Sequence, residues 1–192
     1  MLEILAILSA SAAAGMRIAL PLLIIGLMEN EKLWSRVPLL STIHPQVVVC
    51  ILVSWSLFEL FASKQLLGQR VLQSVELIFS PIAGAILGIT VARFTSLSLE
   101  LGWLAAIVGG LLALVLQLVQ MGWFYRLRGL PIWLVLLQDI LCICLIIFAF
   151  DAPNQGGLIA LLLLWLAIRS SKQWYNFYHQ KRNSLSTPQK PD

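Results

Sequence analysis

The chain is a succession of roughly six long apolar runs separated by short polar stretches. A bilayer's hydrocarbon core is about 30 Å thick and takes about 20 residues of helix to cross. No water is available there, so each backbone N–H and C=O must find its partner within the protein, which leaves helices or closed barrels. Barrel strands read as about ten-residue segments of alternating polarity, and these runs do not alternate. A soluble fold is excluded by composition, because 59% of the residues are hydrophobic and only 11% charged, against about 25% charged in ordinary domains. The expectation is an all-α, polytopic membrane helical bundle of about six transmembrane helices. The spans fall near Ile4–Met28, Pro45–Ser63, Leu77–Leu97, Leu101–Met121, Pro131–Phe150 and Gly156–Ser170. Residues 1–170 make the bundle, 171–182 a cytoplasmic interfacial amphipathic helix, and 183–192 a disordered tail, with no room for a soluble domain.

Ser9-Ala10-Ser11-Ala12-Ala13-Ala14-Gly15 looks like a cleavage site for a leader. However, the start Met1-Leu2-Glu3 is acidic and the run Ile4–Leu8 is short, where a signal peptide wants a basic start and about 7–15 apolar residues. A first span with a small-residue middle is the better reading. Cys50, Cys142 and Cys144 lie inside spans and read as small apolar filler. Cys142 and Cys144 point about 200° apart on a helix, a poor arrangement for one metal.

Six spans put both termini on one side with the loops after spans two and four. That side carries Lys64, Arg70, Arg126, Arg128, Arg169, Lys172, Lys181, Arg182 and Lys190, against Lys32, Arg36 and Arg93 on the other. Such an imbalance places both termini in the cytoplasm. The net charge of +4 is then a topology signal, and no nucleic-acid partner need be invoked. Trp34, Trp103, Trp123, Trp133 and Trp174 fall at span ends, at headgroup level, whereas Trp55 and Trp165 read as packing residues. Trp174, Phe177 and Tyr178 share one face of a helix flanked by Lys172, Lys181 and Arg182. That pattern suits anionic lipid headgroups.

Each group of three spans opens with a helix-loosening patch, Ser9–Gly15 in span one and Ala105-Ala106 with Gly109-Gly110 in span four. The second span of each group holds one carboxylate, Glu59 or Asp139. A repeated three-span unit must invert across the membrane, so a 3+3 inverted repeat is one reading of the pattern and chance likeness of apolar spans the other.

Ionisable groups inside a span are costly, about 2.5–3.5 kcal/mol on insertion scales, and turn toward a bundle interior or cavity. Arg17, Glu59 and Asp139 are the three. Counted from the cytoplasmic ends, Arg17 lies about 20 Å deep, Asp139 about 12 Å and Glu59 about 6 Å. Glu59 is then partly wet and within reach of Lys64 or Arg70. Arg17 snorkels toward Asp139, which makes an Arg17–Asp139 pair the economical expectation, one in which replacing both partners restores what replacing either loses. Gly15-Met16-Arg17-Ile18-Ala19-Leu20-Pro21 bends or breaks the helix beside Arg17, since Pro21 has no N–H to give residue 17. Irregular backbone beside an intramembrane charge is how solute sites are built. Pro81 and Gly84 mark a second loosened segment in span three, and Gly84 with Gly88 offers a close helix contact. Gln117, Gln120 and Gln138 add polar lining. No catalytic motif and no metal-ligand cluster appears in the sequence, His44 and His179 fall at opposite faces, and neither enzyme activity nor a cofactor is expected.

Gly15-Met16-Arg17-Ile18-Ala19-Leu20-Pro21-Leu22, Phe58-Glu59-Leu60-Phe61-Ala62-Ser63-Lys64 and Ser80-Pro81-Ile82-Ala83-Gly84-Ala85, in this order, resemble the marks of a bacterial membrane family, domain-of-unknown-function family 4126. Gln138-Asp139 and Asp151-Ala152-Pro153 add two further marks, and the likeness covers most of residues 5–170. Family members carry Asp at Ser63, Arg near Ser80 and Glu at Gln138, so this chain has lost charge at three positions. The resemblance implies an integral membrane protein of unestablished activity, in a bacterial inner membrane or, with relatives in photosynthetic bacteria, a thylakoid. Two functional readings follow from the residues. One is a small transporter or channel-like protein with a polar site at Arg17, Glu59 and Asp139. The other is a structural or assembly subunit, in a homo-oligomer or a larger membrane complex, whose charges fix helix register.

Overall fold

The run of small residues near the N-terminus decides the architecture. The computed structural model describes residues 2–28, 45–62, 66–95, 99–127 and 132–186, and side chains within 2–25, 46–59, 61, 68–95, 102–124 and 133–171. Helix α1 (Leu2–Met16) is buried almost continuously from Ala6 onward. Ser9, Ala10, Ser11, Ala12, Ala13 and Ala14 are each 0% exposed. Side chains this small let four helices close around α1 at once: α4 (Leu66–Phe94), α5 (Leu99–Leu127), α6 (Ile132–Asp151) and α7 (Pro153–Ser186). The patch expected to loosen the helix is instead regular helix, and its small residues act through packing. Without a hydrophobic drive between helices in lipid, such close backbone approach is what binds them.

The chain leaves the helix at Arg17 and Ile18 and resumes as α2 (Ala19–Met28), with Pro21 in its first turn. There the missing N–H is harmless. Helix α3 (Pro45–Ala62) packs on α2 and only lightly on α4. Helices α2 and α3 thus form a flank on a core made by α1 and its four neighbours.

Helices α4 and α5 make the most extensive contact in the molecule. A Cβ on Gly84 would stand 2.6 Å from the Gly109 carbonyl oxygen, and one on Gly88 2.5 Å from that of Ala105. Only glycine permits this crossing. Helix α4 is continuous through Pro81, which corrects the expectation of a loosened segment there. Helix α5 comes close at that turn, since a Cβ on Gly110 would be 2.9 Å from the Pro81 carbonyl oxygen.

Among the described residues three helical stretches are long and apolar enough to cross a membrane, Gly68–Phe94, Gly102–Phe124 and Trp133–Asp151, while Leu2–Met16 and Gln46–Glu59 are shorter apolar helices. The described residues form seven helices and no strand. Helix ends differ from the sequence expectation. Helix α4 begins at Leu66 rather than near Leu77, and α5 continues to Leu127. Helix α7 runs unbroken from Pro153 to Ser186, so the interfacial segment and the first residues of the expected tail continue one helix. Arg169-Ser170-Ser171-Lys172 contains no Gly or Pro that would end it. The side chains of Trp174, Phe177 and Tyr178, the loop with Lys32, Trp34, Arg36 and His44, and Lys64, Arg126, Arg128 and His179 lie outside the described side chains.

Polarity is arranged inside out. Ile51, Phe61, Ile78, Phe79, Trp103, Leu111, Trp133, Leu136, Leu158 and Leu162 face outward, whereas Arg17, Glu59, Gln69, Gln73, Glu76 and Gln117 are buried. A soluble surface does not carry so extensive an apolar face. Trp165, expected inside, is 56% exposed, because α7 turns Ala160 and Ala167 inward and Trp165 away. Its ring carries the Arg169 guanidinium at 5.2 Å.

Candidate functional site

The break between α1 and α2 creates the site. A continuous helix would bond the Met16 carbonyl to the N–H of residue 20, and the break frees it. Gln138 Nε2 on α6 donates to that oxygen at 2.6 Å and also to Gln120 Oε1 on α5 at 3.1 Å. Just before the break, the Ala13 carbonyl accepts both the Arg17 N–H at 3.1 Å and the Cys142 thiol at 3.5 Å. The irregular backbone is therefore held from α5 and α6, as a buried break requires.

Arg17 is 5% exposed at this break. Its Nε donates to Asp139 Oδ1 on α6 at 2.8 Å. Its NH1 group lies 3.3 Å from Glu76 Oε1 on α4 and 3.9 Å from Glu59 Oε2 on α3. The structure thus brings together Arg17, Asp139 and Glu59, the residues expected to pair, and adds Glu76. Glu59 is 2% exposed, which corrects the expectation of a partly wet carboxylate. It turns inward because Trp55 Nε1, one helical turn back, donates to its Oε1 at 2.7 Å. Trp55 therefore orients a carboxylate as well as packing.

Glu76 escapes a reading that starts the third span at Leu77. It is 3% exposed, and Gln117 Nε2 on α5 donates to its Oε2 at 3.0 Å. A usable signal was present all the same. Gln69, Gln73, Glu76 and Ser80 recur at helical spacing and make one polar stripe down α4. Among the described residues, two buried side-chain oxygens have no hydrogen-bond partner, Gln73 Oε1 and Ser80 Oγ, and both lie on that stripe.

Beside the guanidinium is a cavity of about 20 Å³ lined by Arg17, Gln69, Gln73, Glu76, Gln120 and Gln138, with Leu72 and Val135 completing the wall. That volume admits one water-sized guest. Of the segments expected to be irregular, Gly15 and Pro21 flank this site, whereas Pro81 and Gly84 lie along α4 at the α5 crossing. Gly15 is where α1 meets α5, since a Cβ there would be 2.8 Å from Ala113 Cα. Cys142 is buried, Cys144 half-buried and Cys50 exposed, all three as free thiols. Among the described residues no group of three or more His, Cys, Asp or Glu is placed to hold a metal ion.

An apolar exterior over helices of spanning length, closed around one guanidinium and three carboxyls, defines a helical membrane protein with a charged interior. The chain belongs to the family described as Domain of unknown function (DUF4126), whose model matches residues 4–173. No curated protein matches it significantly, and no solved structure does.

Proposed function

We propose that the chain is a small transporter or channel-like protein whose solute site is the cluster of Arg17, Glu59, Glu76 and Asp139 with its cavity. The observation that carries this reading is the coincidence of three features at one place. A broken helix, a buried charge cluster drawn from four segments and a polar cavity all meet at Arg17. A register-fixing ion pair needs neither a break nor a cavity, and each is disfavoured inside a membrane bundle unless it is used. On this reading the bundle crosses six times with both termini cytoplasmic. Helices α1 and α2 together make the first crossing, and the C-terminal basic-aromatic segment rests on anionic headgroups. The first three crossings are then the inverted counterpart of the last three. The role involves no catalysis, no cofactor and no nucleic acid.

The alternative, an assembly subunit, draws on the same network, because every carboxyl in it lies within 4 Å of Arg17 and such a network also fixes helix register. Reconstitution separates the two. Proteoliposomes of the purified chain are tested by dye and electrode for flux of protons, alkali cations, chloride and phosphate. Transport predicts flux in one class that Glu76→Gln abolishes while the protein stays folded. No flux in any class, together with a stoichiometric foreign subunit after mild-detergent purification, would establish the assembly role.

A further inference from the structure

We infer that the solute taken by the cavity beside Arg17 is uncharged and water-sized, a molecule that both donates and accepts hydrogen bonds, such as water or ammonia, seated on Gln73 Oε1. This rests on the transport reading and deepens it by naming the class of solute.

Size comes first. The cavity measures about 20 Å³, room for one water-sized guest and none for an ion that keeps its hydration shell. A bare ion must find its compensation in the wall. Two charged residues line the cavity, Arg17 and Glu76. They are opposite in sign and already joined, Arg17 NH1 donating to Glu76 Oε1 at 3.3 Å, so the wall is neutral. The cluster's other carboxyls stand outside the wall and have donors of their own. Asp139 accepts from Arg17 Nε, and Glu59 accepts from Trp55 Nε1 besides facing the guanidinium. A bare ion of either sign would therefore add a charge to a balanced, buried site, which is costly. An uncharged guest adds none.

Hydrogen bonding then fixes the kind of neutral molecule. Gln73 is 6% exposed, lines the cavity, and its Oε1 has no partner. An acceptor buried unsatisfied is costly, and a guest that donates removes the cost. The same wall carries donor groups, the guanidinium N–H groups of Arg17 and the amide nitrogens of Gln69 and Gln120. A cation, ammonium included, has nothing to accept with, and an aprotic guest has nothing to give Gln73. Water and ammonia do both. The stripe on α4 repeats the demand. Ser80 Oγ, 0% exposed and also without a partner, belongs to a residue two turns further along α4, about 10 Å away. A hydroxyl likewise donates and accepts, so successive polar groups along α4 favour the same uncharged kind.

The experiment uses proteoliposomes of the full chain, with water and ammonia tested beside the four ionic classes. Water is followed by light scattering after a step in external sucrose. Ammonia is followed by an entrapped pH dye after a step of ammonium chloride, where entry of the neutral form raises internal pH and entry of ammonium does not. In at least one arm the rate is expected to exceed that of protein-free liposomes severalfold, and the arm identifies the solute. It is expected to fall to the protein-free level in Gln73→Leu and Gln73→Met, which remove the acceptor, and to persist in Ser74→Ala on the outer face of α4. Two replacements at Gln73 guard against one failing to fold. Neutral rates at the protein-free level, or unchanged in both Gln73 variants, overturn the inference, as does flux of any ion. The transport reading fails separately: flux of an ion alone preserves it, and no flux of any solute, charged or uncharged, removes it.

Discussion

Arg17 is the residue on which the charged interior depends, and its partners change what its loss should do. With Asp139 as sole partner, replacing both would restore stability, since neither charge then needs the other. The observed network forbids that rescue, because Glu59 and Glu76 remain buried beside an apolar residue. Arg17→Leu is therefore expected to destabilise by about 3–5 kcal/mol, and Arg17→Leu with Asp139→Leu to stay near that loss. Asp139→Asn, which keeps the shape and an acceptor for Arg17 while Glu59 and Glu76 remain within 4 Å of the guanidinium, is expected to stay within about 1 kcal/mol of the parent. Thermal unfolding in detergent reads all three, and a double variant as stable as the parent would reduce the network to a simple pair. The three interior ions were legible because each interrupts an apolar run. Glu76 was not, because the neighbouring Gln69, Arg70 and Gln73 lower local hydropathy and make the start of α4 read as loop. The partner of the freed Met16 carbonyl could not be read either, since Gln138 reaches it only through tertiary packing. Gln138→Leu leaves that carbonyl without its donor and is expected to cost about 1–3 kcal/mol.

At the scale of elements, glycines separate packing from propensity. A Cβ at Gly84 or Gly88 would meet α5 backbone at 2.6 Å or less, whereas Gly102 and Gly122 have nothing within 4 Å. Gly84→Ala and Gly88→Ala must push α4 and α5 apart and are expected to destabilise by about 1–3 kcal/mol. Gly102→Ala and Gly122→Ala relieve only the helix penalty of glycine and are expected to be neutral or stabilising by up to about 1 kcal/mol. The four variants, compared by detergent thermal melts, share one chemistry and differ only in what surrounds the new methyl. Equal effects at all four would mean that the α4–α5 crossing does not rest on close approach. The small-residue spacing announced a tight contact somewhere, but apolar periodicity could not say which helix would fill it. In lipid both faces of a span are apolar, so the pattern that orients a soluble helix toward its core is missing. The same blindness made Trp165 look internal and the ends of α4 and α7 look nearer than they are.

For the whole molecule the question is how α1 and α2 share the membrane. Helix α1 has 15 residues and α2 has 10; at about 1.5 Å each the longer spans about 22 Å, short of the hydrocarbon core, while the two in line exceed it. Two arrangements follow. In one, the pair is a single crossing interrupted at Arg17. In the other, α1 and α2 fold back as a re-entrant hairpin, which removes one crossing and puts the termini on opposite sides. Contacts favour the first, since a hairpin would pack α1 along α2, whereas α1 touches α2 only slightly and packs mainly against α4, α5, α6 and α7, and α2 packs mainly against α3 and α6. The basic residues do not separate the two, because residues 1–28 hold only Arg17 and the nine-to-three imbalance is the same in both arrangements. Reporters fused before Met1, after Asp192 and into the turn at Ala152 are expected to read cytoplasmic, cytoplasmic and external. A cytoplasmic C-terminal reporter with an external N-terminal one would mean the hairpin. Arg17 would then sit at the tip of a re-entrant loop, as in a pore lining, and the cavity beside it would open to one side of the membrane only.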